Sequence, residues 1–250
     1  MTTNEVVGPL SGQRVVVIGG TSGMGLGAAR AALGAGAEVV VASRRPEAER
    51  GTLGPNTQRL KHAQVDITDE ASIRRLFEEL GTLDHLLVTA TPSAPNQPFL
   101  QQELAGAQAV MNGKFFGSWA CARHAAPKMP KNGSITFVTG GAAVRPRAGI
   151  TTLTAAFAAL EALSQALALE LGPLRVNTLR PGLVDSEMWN FLDEAAREQL
   201  RQKAREQFPV RRIGSIEDIG HAALFLMTNS YVTGTVLEVS GGETLVALDI

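Results

Sequence analysis

Arg14-Val-Val-Val-Ile-Gly-Gly-Thr-Ser-Gly-Met-Gly-Leu-Gly27 reads as a buried strand, a tight turn and the start of a helix. Val15, Val16, Val17 and Ile18 form a short β-branched run, as expected of a strand covered on both faces. Gly19, Gly20, Gly23, Gly25 and Gly27 follow at once. Without Cβ atoms the backbone can turn sharply and approach a ligand closely. The free N–H groups of the next helix then face that space, where a pyrophosphate binds well. A glycine-rich run alone says little. Between a strand and a helix, near the start of an α/β pattern, it points to a dinucleotide.

Working outward, 250 residues fit one domain, residues 1–250. A hydrophobic share of 44% with 19% charged residues is that of an ordinary globular protein with a sizeable core. The net charge of −1 offers no general attraction to nucleic acid or to an anionic membrane. Cys121 is the single cysteine, which excludes an internal disulfide and a cysteine-rich metal site. His62, His85, His124 and His221 show no ligand spacing, so they read as structural or surface residues and no metal is expected. The first residues lack the basic and apolar regions of a signal peptide. No apolar run reaches transmembrane length, and a cytoplasmic location is expected.

In chain order, an alanine-rich helix follows the turn and ends at Gly34 and Gly36. Glu38–Ala42 is a second strand, completing one strand–helix–strand unit. Further strands are expected at Arg59–Val65, His85–Thr89, Ser134–Thr139, Leu174–Leu179 and Thr235–Val239. Helices are expected from about Asp66, over Gln101–Ala126, over Thr151–Leu171, over Ser186–Gln207 and from Ser215. Thr68 or Asp69 can cap the first of these, and Ser215-Ile-Glu-Asp218 has the form of a capping box. Strands and helices alternate throughout. The fold class is therefore α/β, with a mostly parallel sheet and helices on both faces.

With these motifs in this order, the chain resembles the classical short-chain dehydrogenase/reductase family over nearly its full length. That family's Thr-Gly-x-x-x-Gly-x-Gly motif stands here as Ile18-Gly19-Gly20-Thr21-Ser22-Gly23-Met24-Gly25, with Ile18 for the threonine. Asp66-Ile67 matches the pair that contacts adenine, and Ala90 follows the fourth strand where the family also meets the cofactor. Met111-Asn112-Gly113 matches the helix that carries the catalytic-site asparagine. Pro181-Gly-Leu-Val-Asp-Ser186 matches the segment beside the nicotinamide, which brings Pro181, Gly182, Val184 and Ser186 to the cofactor. Arg212–Ile219 and Ser240-Gly-Gly242 match the C-terminal pattern. The resemblance implies a single Rossmann-type doubly wound domain with seven strands and a substrate lid over 186–210. Met188, Trp189 and Phe191 would be the lid's apolar contacts. It also implies a homodimer or homotetramer packed through two alanine-rich helices.

Members that prefer NAD usually end the second strand with an acidic residue that accepts from the ribose hydroxyls. Here Ser43-Arg44-Arg45 stands there. No carboxylate repels a 2′-phosphate, and two guanidiniums can reach one, so NADP(H) is the expected cofactor.

The family's chemistry uses a serine after the fifth strand and a Tyr-x-x-x-Lys pair on the next helix. Aligning Phe157-Ala-Ala-Leu160 with the usual Lys-Ala-Ala-Leu puts Leu153 at the tyrosine and Phe157 at the lysine. Gly140 falls at the serine. No other register restores the pair: the only tyrosine is Tyr231, and no lysine lies between Lys131 and Lys203. Asn112 is the retained family position. Thr139 and Arg145 are the substitutes nearest in sequence, one to hydrogen-bond a carbonyl, the other to stabilise an oxyanion or hold an acidic small-molecule substrate. Thr151, Thr152, Thr154 and Arg147 lie close by.

A positioned acid or base contributes about 10²–10⁴-fold, and orientation of hydride donor and acceptor contributes further. Losing the tyrosine thus removes a proton route without abolishing hydride transfer. Three functions remain open: a divergent NADPH-dependent reductase, a cofactor-binding sensor or partner subunit, and a non-redox enzyme such as a dehydratase, cyclase or isomerase.

Overall fold

The computed structural model describes residues 8–45, 57–92, 96–186, 189 and 192–246. Seven strands form one sheet: β1 (Arg14–Ile18), β2 (Glu38–Ser43), β3 (Leu60–Gln64), β4 (His85–Val88), β5 (Ser134–Val138), β6 (Arg175–Pro181) and β7 (Val236–Val239). Their order is β3-β2-β1-β4-β5-β6-β7, and every pairing is parallel. The α/β doubly wound sheet expected from the sequence is thus present, with all strands parallel rather than most.

The strand periodicity of two sorts the core into two layers. Val15 and Val17 face the layer of α1 (Gly23–Gly34) and α7 (Ile216–Thr228), together with Val39, Val41 and Leu87. Val16 and Ile18 face the opposite layer with Val40, Leu86, Val88, Ile135 and Phe137. That layer is covered by α2 (Glu70–Leu80), α4 (Gly117–Ala125) and α5 (Thr151–Glu170). Cys121 is wholly buried there as packing.

Asp69 rather than Thr68 caps α2, accepting from the Ala71 N–H. Ser215 and Asp218 complete the capping box of α7. The helix expected from Ser186 begins only at Glu194, capped by Asp193, and α6 runs Glu194–Gln207. Met188 and Phe191 lie outside the described residues, and Trp189 is buried. The helix expected over Gln101–Ala126 is α3 (Leu104–Met111) joined to α4 through a π-helical turn, Asn112–Phe116. α5 has the length and hydropathy to cross a membrane, unlike the sequence expectation. Here its inner face carries Ala156, Phe157 and Leu160 into the core.

Between β1 and β4 the chain reverses its direction of travel across the sheet. The crevice beyond the strand ends at such a switch point is where a doubly wound sheet binds its ligand.

Candidate active site

A cleft of about 370 Å³ opens at that switch point. Gly19, Thr21, Ser22, Gly23, Met24 and Gly25 line it, with Ser43, Arg44, Asp66, Ile67, Thr89, Ala90, Thr91 and Ser186. The structure therefore gathers most of the expected cofactor residues around one space. Arg45, and Pro181, Gly182 and Val184 at and beyond the end of β6, lie outside the cleft lining.

The glycine turn is shaped by contact rather than by flexibility alone. A Cβ on Gly25 would sit 2.1 Å from the Gly19 carbonyl oxygen, so α1 can stand this close only on glycine. Ser22 is the N-cap of α1, yet its side chain caps nothing, and the first turn holds no acidic residue. The N–H groups there remain available to an anion.

Arg44 and Arg45 are exposed at the end of β2, and among the described residues no carboxylate pairs with either guanidinium. The Ser43 hydroxyl beside them is buried without a hydrogen-bond partner. A buried hydroxyl with no partner costs about 1–3 kcal/mol, which a ligand oxygen at this spot would recover. Asp66 accepts from the Thr68 N–H at 2.9 Å and the Thr68 hydroxyl at 2.7 Å. Those bonds, the backbone one first, hold its carboxyl below the usual range.

Of the three catalytic candidates, Thr139 and Arg145 are already engaged. The Thr139 hydroxyl donates to Glu161 at 2.9 Å. Glu161 also receives Arg180 through Nε at 2.9 Å and Nη2 at 2.6 Å. This buried bidentate pair, with Glu161 as first cause, raises the Arg180 guanidinium above its usual range. Arg145 donates to the Glu243 carbonyl at 2.8 Å, and Arg147 approaches the Glu243 carboxylate at 3.9 Å. That buried carboxylate accepts from the Leu183 N–H at 2.5 Å, so it fixes the Pro181–Gly182 segment. Thr151 and Thr152 donate to Gln102 at 3.0 Å and 3.5 Å.

Asn112 lies exposed on the outside of the π-helical turn. Lys114, two residues on, turns inward and is wholly buried. Its ammonium donates to the Ala90 carbonyl at 3.1 Å and the Thr91 hydroxyl at 3.0 Å. It also lies 5.5 Å from the centre of the Phe157 ring. No carboxylate pairs with it among the described residues, and burial pushes it down to about 7. The sequence reading missed this lysine for a geometric reason. Residues two apart on a helix point about 200° apart, so placing Asn112 inside puts Lys114 outside. A lysine within Met111-Asn-Gly-Lys-Phe-Phe-Gly117 was the available signal.

The Phe157 ring also explains Gly140. A Cβ on Gly140 would lie 2.9 Å from Phe157 Cε2. Gly140 itself is extended, with φ −174°, so its backbone does not need glycine; the ring needs the space. His85, by contrast, lies at the far end of β4, bonded to Ser134 and Gln13. Burial first, then Arg175, brings it down to about 4, so it stays neutral. Among the described residues no three His, Cys, Asp or Glu side chains cluster to hold a metal.

Residues 19–244 match the family profile described as enoyl-(acyl carrier protein) reductase. The short-chain dehydrogenase/reductase ATR9 of Stachybotrys chlorohalonatus is 31% identical, covering 94% of this chain and 98% of that protein. The chain belongs to the short-chain dehydrogenase/reductase family. Another member, the 7alpha-hydroxysteroid dehydrogenase of Escherichia coli K12, is 30% identical over 93% of this chain and 94% of its own. A small-chain dehydrogenase solved in complex with NADPH superposes with a TM-score of 0.79 at 33% identity, covering 93% of this chain and 99% of that one. The MalC reductase/Diels-Alderase of Malbranchea aurantiaca gives 0.84 at 27% identity, covering 95% and 98%. Family members bind a nicotinamide cofactor, and these relatives are oxidoreductases.

Proposed function

We propose that this family member is an NADP(H)-dependent oxidoreductase that reduces a carbonyl or related group of a small molecule, with a proton source other than the family's tyrosine. The observation that carries the cofactor choice is the end of β2. There the Ser43 hydroxyl is buried without a partner and Arg44 lines the cleft beside it, with no carboxylate in ion-pair contact with its guanidinium among the described residues. The residues present fit a phosphorylated dinucleotide. The α1 N-terminus would hold its pyrophosphate, and Ser43 with Arg44 its 2′-phosphate. Bound there, the cofactor would supply a hydride. The chain's own residues would orient it, and Gly140, Leu153 and Phe157 put no hydroxyl or amine on the positions aligned with the family's serine, tyrosine and lysine.

The test is to mix purified protein with NADPH and a panel of ketones, quinones and enones. Oxidation above background with at least one, and slower oxidation of NADH, is expected. No turnover with any of them, despite NADPH binding in a calorimeter, would favour a non-catalytic cofactor-binding protein. That second reading draws on the engagement of Thr139 by Glu161 and of Arg145 by Glu243. A cyclase reading draws on MalC, whose name joins a reductase to a Diels-Alderase. Turnover in a cofactor-stripped sample would point there.

We also propose a homodimer or homotetramer, with no nucleic acid or membrane partner, in the cytoplasm. The outer face of α5 supports the assembly: Ala155, Ala158, Ala162 and Leu169 are exposed along it. Light scattering at micromolar concentration reads the mass directly.

A further inference from the structure

We propose that the Lys114 ammonium makes the site favour the neutral, reduced ring of NADPH over the pyridinium cation of NADP+. The inference rests on the NADP(H) reading above and adds a direction to it. Three observations place the lysine. Its two acceptors, Ala90 and Thr91, form the wall of the cleft just beyond β4. Its other neighbour, Phe157, packs on Gly140 just beyond β5. In a doubly wound sheet the dinucleotide crosses the switch point, one half on each side. Arg44, Asp66 and Ile67 mark the adenine half beyond β2 and β3. Lys114 therefore lies behind the cleft wall on the β4 side of the switch point, the side left for the nicotinamide half.

The electrostatics follow from what surrounds it. Lys114 is wholly buried and has no carboxylate partner among the described residues, so little screens its charge. The nearest acidic side chain further along α5, Glu161, is neutralised by Arg180. Asp185, before Ser186, lies 3.2 Å from Arg201. Burial lowers Lys114 to about 7, so it is charged in mildly acidic solution. The oxidised and reduced cofactors share every phosphate, ribose and base. They differ by one positive charge, and that charge is on the nicotinamide ring. A cation on that side of the cleft repels one redox form and leaves the other alone. The same bias lets a reductase take up fresh reductant and shed the spent form.

A scaffolding lysine would affect both forms alike, and this separates the two roles. Full-length wild type, Lys114→Met and Lys114→Gln are titrated with NADPH and with NADP+ in a calorimeter at mildly acidic pH, after circular dichroism has confirmed folding. Met keeps the bulk; Gln keeps hydrogen-bond donors without the charge. Wild type is expected to bind NADP+ about tenfold or more weakly than NADPH, and both variants to shrink that ratio roughly fivefold or more. A ratio unchanged in the variants overturns the proposal. So does wild type that binds the two forms equally, which settles the matter even if neither variant folds. Wild type that binds neither form sinks the NADP(H) reading itself, and this inference with it.

Discussion

Replacing Lys114 with methionine should change how stability depends on pH, whatever the protein's substrate. An unfolded chain holds this lysine's proton up to about 10.5. In the fold, burial lets it go near 7. Between those values the unfolded state binds more protons, so unfolding free energy rises with pH. The shift corresponds to roughly 4–5 kcal/mol across the window, and the penalty is fully present below about 7. Its immediate neighbours are the Ala90 carbonyl, the Thr91 hydroxyl and the Phe157 ring, and none titrates in this range. Methionine also forfeits two hydrogen bonds, at about 1 kcal/mol each, but that loss does not vary with pH. Urea unfolding of wild type and Lys114→Met at several pH values between 6 and 10 gives two curves whose difference isolates the lysine. The wild-type curve should climb towards the variant's, or further above it, by several kcal/mol over the window. Parallel curves would refute the burial of an unpaired ammonium.

Gly140→Ser should destabilise by about 1–3 kcal/mol, because its Cβ meets the Phe157 ring at 2.9 Å. Adding Phe157→Ala should remove most of that coupling in a double-mutant cycle read by thermal unfolding. Arg44→Ala should weaken NADPH binding by about 1.5–3 kcal/mol and leave NADH binding unchanged, since only the 2′-phosphate is lost; equal losses for both would place the 2′-phosphate elsewhere. Glu161→Gln should cost about 3–5 kcal/mol in urea unfolding, because it leaves the half-buried Arg180 with only Glu238 at 3.2 Å.

The fold was legible because its signals are local. The unbroken apolar run Val15–Ile18, the glycines that follow and the caps at Asp69 and Ser215 each decide their own neighbourhood. The gathering of residues around the cleft was legible for the same reason: Gly19–Gly25, Ser43-Arg44 and Asp66-Ile67 sit at strand ends, and parallel topology brings strand ends together. The catalytic half was not. Thr139 looked available until Glu161, 22 residues away, came to rest against it. Arg145 looked free until residue 243 folded back over the loop. Lys114 stayed hidden because a π-helical turn decides which way it points. The first two depend on a tertiary contact whose partners no short sequence window holds.

The contact between Phe157 and Gly140 sets the order in which this pocket can change. A side chain at position 140 collides with the ring while the ring remains. A lysine at position 157 would bring a second ammonium to a place where one already lies 5.5 Å from the ring centre, and like charges in a dry interior repel strongly. A side chain at 140 and an ammonium at 157 are therefore each uphill alone, and changes at 114, 140 and 157 ease one another. The pocket behaves as a coupled unit in sequence space: its three residues change most easily together.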